Sequence, residues 1–338
     1  MNINNLRQVI IDQEELFKDR TGLIERDVSE SFITSEKISV ITGIRRCGKS
    51  TLMKLLSQRY KNYCYLNFED ERLIDFDYTD FNKMLEIFYE IYGSKPDAFF
   101  FDEIQNIYGW EKFTRRMFNE GKKLFITGSN AKLLSSEFST SLTGRYVKKE
   151  LFPFSFAEFL KAREVEINKK LTTAKKAEIK KHFGEFLKIG GFPEYVETKN
   201  RNEISQLYQD IIIKDLIVRF GIRDVKSFRE LSLYLLSNIS SLYSYNNLSK
   251  LLNIKSINSV KNYISFFEEA YLFFSLSKYE YSVKKQIVQN KKIYSIDTGI
   301  FNTVSYSFTE NRGKQLENIA FLELKRQEKE LYYYKNRN

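Results

Sequence analysis

A chain of 338 residues with 42% hydrophobic and 29% charged side chains can build two or three packed domains and is not a disordered chain. The net charge is +10; the first 150 residues are electrically balanced, so the whole excess lies beyond them and peaks within residues 206–300. Two cysteines, one histidine and no apolar run of bilayer length exclude a disulfide framework, a cysteine zinc site, a Ser-His-Asp hydrolase, a multi-histidine metal centre and a transmembrane helix. Met1–Arg7 lacks the apolar segment of a secretory signal, so the expected compartment is the cytoplasm, with no membrane partner. His182 lies in a lysine-rich run and is expected on a solvated helix face.

Asn5–Lys18 spaces its apolar residues as an amphipathic helix that should pack on the core that follows. Five short apolar segments then read as buried strands: Ile38–Thr42, Tyr63–Phe68, Ala98–Phe101, Leu124–Thr127 and Tyr146–Leu151. Helical stretches separate them, including Thr51–Tyr60, Phe81–Tyr92 and Trp110–Asn119. Alternating strands and helices predict an α/β fold, a parallel sheet covered on both faces. Beyond Leu151 the spacing predicts a lysine-rich helical region over 155–189, a break at Gly190-Gly191-Phe192-Pro193, and helices over 203–220 and 227–241. A compact helix–turn–helix follows, then strands Tyr271–Tyr279 and Lys292–Asp297, a helix Leu316–Gln327 and a strand Glu330–Lys335.

The chemistry concentrates in the first half. Gly43-Ile44-Arg45-Arg46-Cys47-Gly48-Lys49-Ser50, followed by Thr51, fits the phosphate-binding loop G-x-x-x-x-G-K-[ST] and sits between a predicted strand and a predicted helix. Glycines let the backbone N–H groups wrap phosphates, Lys49 reaches the β- and γ-phosphates of ATP, and the Ser50 hydroxyl can ligate Mg²⁺. Cys47 reads as a small filler within the loop. Phe99-Phe100-Phe101-Asp102-Glu103 is an apolar strand ending in two carboxylates. Alone such a pair would be a solvated strand end; beside a phosphate loop, Asp102 can hold Mg²⁺ and Glu103 can polarise the attacking water. A third strand ends in Thr127-Gly128-Ser129-Asn130, where a hydroxyl or amide could meet the γ-phosphate or could simply make a strand-to-helix turn. Arg145 could stabilise transition-state charge in cis or across an interface, or form a surface salt bridge.

Together these residues resemble the prokaryotic AAA-type P-loop ATPases whose C-terminal half is a domain of unknown function, related to origin-recognition and signalling ATPases. The run Thr127-Gly128-Ser129, Leu142-Thr143-Gly144-Arg145 and Pro153-Phe154-Ser155-Phe156 is its most specific part. The resemblance implies Lys49 and Ser50 as phosphate and magnesium residues, Asp102 and Glu103 as the magnesium-associated and catalytic carboxylates, and Ser129 or Asn130 as the γ-phosphate sensor. It also implies that Gly190-Gly191-Phe192-Pro193 is a lid element whose Pro193 packs near the adenine; otherwise it is a helix break. Family members continue into a nuclease-like fold with clustered acidic residues. This sequence stops at Asn338 without them, so either a remnant tail or a truncation, and no nuclease activity, are expected.

The implied organisation is an ATPase core over 1–150, a helical lid over 151–205, a winged-helix domain over 206–300 and a nuclease-like tail over 301–338. Helical spacing buries Ile257, Val260, Ile264 and Phe267 and turns Asn258, Lys261, Asn262 and Ser265 outward, while Lys284, Lys285, Lys291 and Lys292 fill the connection between two strands. That is the pattern of a winged helix on duplex DNA, with Asn258, Lys261, Asn262, Lys284 and Lys285 as candidate contacts. The expected function is therefore an Mg²⁺-dependent ATPase of low turnover whose nucleotide state controls DNA binding. The alternative is a signalling switch whose C-terminal half binds protein or a second copy of itself.

Overall fold

The computed structural model describes residues 1–19, 21–93, 96–128, 142–167, 170–305 and 311–334. The chain divides into two compact units, one of Met1–Gly43 with Gly48–Leu151, the other of Ile44–Cys47 with Phe152–Asn338.

The first unit opens with α1 (Ile3–Lys18), capped by the Asn2 side chain, which accepts from the Asn4 N–H. Its apolar stripe of Leu6, Val9, Ile10 and Phe17 is buried, as the spacing predicts. A short helix α2 (Glu30–Ile33) precedes β1 (Ile38–Gly43), α3 (Lys49–Ser57), β2 (Tyr63–Asn67), α4 (Asp80–Tyr92), β3 (Ala98–Asp102), α5 (Trp110–Asn119), β4 (Leu124–Gly128) and β5 (Tyr146–Leu151). The strands form one parallel sheet in the order β2-β3-β4-β1-β5. Every residue of β1, β3 and β4 is buried. Successive strand residues point to opposite faces, so both faces of the sheet are covered. Aromatic stacking fills the space: Phe17 lies 3.7 Å from Tyr65, Phe81 lies 4.0 Å from Phe113 and Phe100 lies 4.7 Å from Phe125, centroid to centroid. The register Thr42↔Gly128 and Asn67↔Asp102 aligns the carboxyl ends of the strands, and that edge carries the site.

In the second unit, α6 (Phe156–Ala162) starts from a capping box of Ser155 and Glu158. It is followed by α7 (Thr173–Ile189), α8 (Pro193–Thr198) and α9 (Arg201–Asp210), which runs on as a wider helical turn over Ile211–Val218. The lysine-rich region expected to be helical over 155–189 is two helices. The Val165 N–H closes back on the Leu160 carbonyl at 2.9 Å while Glu164 adopts a left-handed conformation (φ 56°), which ends α6. His182, expected in solvent, is half-buried beside Glu185.

Next come α10 (Val225–Ser237), β6 (Leu242–Tyr243), α11 (Tyr245–Leu251), α12 (Ile257–Glu269), β7 (Phe273–Leu276), α13 (Val283–Val288), β8 (Lys291–Ser295), α14 (Thr298–Val304) and α15 (Arg312–Arg326). β6, β8 and β7 form an antiparallel sheet in that order. The connection between β7 and β8 contains the helix α13, whose side chains are all at least partly exposed. Ile257 is 42% exposed because it opens α12, next to the Ser256 cap, and only Val260, Ile264 and Phe267 of the expected four are buried. Of the expected C-terminal strand, the described residues form one parallel bridge, between Lys278 and Tyr333.

Asp297 ties this unit together. Its carboxylate accepts from the N–H groups of Gly191 (2.7 Å), Gly299 (2.6 Å) and Ile300 (3.3 Å), and burial pushes its pKa up to about 6. The approach leaves no room for side chains on the facing glycines. A Cβ on Gly190 would stand 2.0 Å from Asp297 Oδ1, and one on Gly191 would stand 2.2 Å from the Phe154 carbonyl oxygen. Among the described residues no helix is long and apolar enough to cross a membrane.

Candidate functional site

β1 delivers the chain to the phosphate-binding loop, and α3 begins immediately after it. Gly48 stands at the N-cap of α3 with φ 98°, a left-handed conformation, and no side chain caps the helix there. The N–H groups of the first turn are therefore not capped by a side chain, and the helix dipole favours an anion in front of them. Lys49 opens α3; its Nζ is 3.4 Å from the Gly43 carbonyl oxygen and 3.4 Å from Glu103 Oε1. The loop lysine and the second carboxylate thus meet across the carboxyl edge of the sheet.

Asp102 is wholly buried. One of its oxygens accepts a hydrogen bond from the Thr127 hydroxyl, the other accepts from Tyr65 Oη at 3.3 Å, and the Ser50 side chain lies near enough to favour its charged form. Burial and then the charge of Glu103 raise its pKa, against which Ser50, Thr127 and Lys49 stabilise the charged form. A buried carboxylate beside a serine hydroxyl and a second carboxylate is an oxygen donor set, the kind a hard divalent cation takes. These residues fit Mg²⁺.

Glu103 leaves β3 in a left-handed conformation (φ 50°), and its N–H donates to Thr127 Oγ1 at 2.9 Å. Thr127, the penultimate residue of β4, therefore holds both acidic residues at once: it donates to Asp102 and accepts from the backbone of Glu103. Gln105, in the tight turn Ile104–Asn106, donates to Glu103 Oε2 at 2.5 Å. A left-handed non-glycine residue kept at a strand end marks backbone strain held by its surroundings, and such strain gathers at functional sites.

The loop residues Ile44–Cys47 group with the second unit. Arg45 makes a two-pronged ion pair with Asp215 (Nε–Oδ2 3.0 Å, Nη2–Oδ1 3.1 Å), and Arg46, left-handed at φ 58°, pairs with Glu194 at 2.9 Å. Pro193 occupies the first turn of α8; its neighbours Phe192 and Glu194 line a small cavity with Arg46, Tyr195 and Leu207. Cys47 is wholly buried, in keeping with a filler role.

The structure thus brings Gly43, Gly48, Lys49, Ser50, Asp102 and Glu103 to one edge. It does not bring Arg145 there. The Arg145 carbonyl accepts from the Ile38 N–H at the amino end of β1, and five residues of extended strand, about 17 Å, separate that end from Gly43. Ser129 and Asn130 lie outside the described residues. In the second unit, Asn258, Lys261 and Asn262 share the exposed face of α12, and Lys284 and Lys285 are exposed on α13. Lys261 and Lys291 each place the ammonium group 5.7 Å from the Tyr245 ring, and Lys292 is tied to Glu317 at 2.7 Å.

Residues 35–160 match the AAA domain family, and residues 180–311 match a Domain of unknown function (DUF8612). An uncharacterised protein of Methanocaldococcus jannaschii is 40% identical over 98% of this chain and 76% of its own length. The chain belongs to the AAA-type P-loop ATPases that carry a C-terminal domain of unknown function. A second relative, an uncharacterised protein of Haemophilus influenzae, is 32% identical over 87% of this chain and 76% of its own length. Among solved structures, the Aeropyrum pernix ORC1 protein in complex with DNA aligns at 12% identity and TM-score 0.34, over 94% of this chain and 91% of that one.

Three residues of this candidate site escaped the sequence reading. Tyr65 lies mid-strand in an aromatic run and reads as core; only the pairing of β2 with β3 sets its hydroxyl against Asp102. Thr127 reads as the polar end of an apolar strand, two residues short of the candidates chosen. Gln105 carried a usable signal, an amide two residues beyond a candidate catalytic carboxylate.

Proposed function

We propose that the protein is an Mg²⁺-dependent ATPase whose nucleotide state controls a basic winged-helix domain that binds duplex DNA. The observation that carries the ATPase reading is the convergence of Lys49, Ser50, Asp102 and Glu103 at the carboxyl edge of the sheet. The backbone at the start of α3 and Lys49 would hold the phosphates. Ser50 and Asp102 would hold Mg²⁺, which would supply positive charge to neutralise the bound phosphates. Glu103 would take the proton of the attacking water. Its present partner, Lys49, is the group that a γ-phosphate draws away, so binding of ATP frees the carboxylate to act as base. Arg145, at the far end of the sheet from the loop, is assigned to a role across an interface rather than within its own chain. Pro193 and the Arg46–Glu194 pair are assigned to the lid that senses the base and the phosphates. Ser129 and Asn130 are assigned to the γ-phosphate sensor.

The DNA reading rests on the helix–strand–helix–helix–hairpin order of α10 to β8, the strand order β6-β8-β7, and the exposed Asn258, Lys261, Asn262, Lys284 and Lys285. A second reading, a switch whose C-terminal half binds protein or a second copy, is favoured by Val283, Ile287 and Val288, which are 69%, 66% and 75% exposed on α13. ATP turnover measured with and without duplex DNA tests the first: stimulation supports it, and no salt-dependent binding to duplex at low ionic strength refutes it. Light scattering with and without ATP tests the second, because assembly should follow the nucleotide.

A further inference from the structure

We propose that Gln105 is a second water-orienting residue of the hydrolytic step, acting beside Glu103; this rests on the ATPase reading above. Glu103 Oε2 is a carboxylate oxygen and can only accept, so the Gln105 atom 2.5 Å from it is the amide nitrogen, and that fixes the orientation of the amide. The carbonyl end then has no choice of position. Gln105 Oε1 is buried and has no hydrogen-bond partner among the described residues. A buried acceptor left unpaired is costly and rare, and it is kept where a ligand or a water completes it. On the other side, Glu103 Oε1 faces Lys49 Nζ at 3.4 Å. Phosphate lysine, carboxylate and amide therefore stand in one hydrogen-bonding row, and the turn Ile104–Asn106, which follows the left-handed Glu103, is what folds the amide back onto the carboxylate.

A water donating one hydrogen to Glu103 and the other to Gln105 Oε1 keeps its lone pair for the γ-phosphorus. In the step, the water oxygen bonds to that phosphorus and the bond to the β–γ bridging oxygen breaks. The electron pair leaves on ADP, and one water proton passes to Glu103. Gln105 transfers no proton; it fixes the direction of attack, and misplacement of a reacting atom by about 1 Å costs on the order of a hundredfold in rate.

The test uses the full chain with Gln105→Met, which keeps the length and volume of the side chain without its hydrogen bonds, and Gln105→Ala. Turnover at saturating ATP, KM and the affinity for a fluorescent ATP analogue are measured for each, alone and combined with Glu103→Gln. The expected result is a kcat lowered roughly tenfold to a hundredfold in both single variants, with KM and analogue affinity within about twofold of the wild type. In the Glu103→Gln background, Gln105→Met should cost less than about twofold more, because both residues act on one water. A Gln105→Met variant with unchanged or raised kcat overturns the proposal. So does an equal loss of analogue affinity, which would mark a structural role, or full additivity with Glu103→Gln. If Gln105→Met changes nothing while Glu103→Gln abolishes turnover, only the Gln105 inference fails. Wild-type protein without turnover removes both readings.

Discussion

Thr127→Val is the substitution that separates a site held by geometry from one held by composition. The change keeps the shape of the side chain and removes one hydroxyl. That hydroxyl donates to the wholly buried Asp102 and accepts the Glu103 N–H at 2.9 Å. Losing a hydrogen bond to a charged group costs about 1.5–3 kcal/mol, and orphaning a part-buried N–H costs about 1–3 kcal/mol more. Tyr65 cannot make up the difference, because its hydroxyl already donates to Asp102. The first unit should therefore lose about 3 kcal/mol of stability, read as a lower urea midpoint with an unchanged slope. Thr127→Ser, which restores the hydroxyl, should recover most of it. A Thr127→Val protein within about 0.5 kcal/mol of the wild type would refute the claim that this hydroxyl supports both acidic residues.

Lys49→Ala should abolish binding of a fluorescent ATP analogue, whereas Glu103→Gln should bind it normally and turn over at least about a hundredfold more slowly; phosphate release at saturating ATP distinguishes the two. Gly191→Ala places a Cβ 2.2 Å from the Phe154 carbonyl oxygen and should lower the calorimetric midpoint by the equivalent of more than about 3 kcal/mol. Gly184→Ala, within α7 and with nothing inside 4 Å, should leave it unchanged or raise it slightly. The Asp297 pKa is raised by burial from 3.8 to about 6, so the folded state holds its proton more tightly than the unfolded chain. Stability from this group is full below about pH 4 and is lost, by about 3 kcal/mol in all, as pH rises through 6, and Asp297→Ala should flatten that part of the denaturation profile. Replacing Lys261, Lys284 and Lys285 by Ala should weaken duplex binding and reduce its salt slope by up to about three, read from titrations at several salt concentrations.

Much of the first unit was legible in the sequence because its signals are local. A parallel strand buried on both faces must be apolar throughout, so Phe99-Phe100-Phe101 could hardly be anything else. The phosphate loop needs glycines and a lysine at fixed chain spacing, and that spacing survives without knowledge of the fold. The second unit was less legible. Helices over 155–189 were foreseen, but the break after Ala162 depends on a backbone closure, Val165 onto Leu160, that no composition signals. Gly190-Gly191 read as a helix break or as part of a lid element. It is instead a place of close approach, decided by an aspartate more than a hundred residues away.

The sequence by itself named the candidates for the chemistry: Lys49, Ser50, Asp102 and Glu103 were read from residue type and spacing, since a phosphate-binding loop is recognised by glycines, a lysine and a hydroxyl at fixed distances along the chain. Only the tertiary structure decided how they are held and which can act together. Strand register put Tyr65 and Thr127 against Asp102, and it set Arg145 at the opposite end of the sheet from the loop it might have served. The tight turn after β3 brought Gln105 back onto Glu103. The reason is physical: donor and acceptor identity is written in each side chain, but a hydrogen bond requires two atoms within about 3 Å, and for residues on different strands only packing fixes that distance.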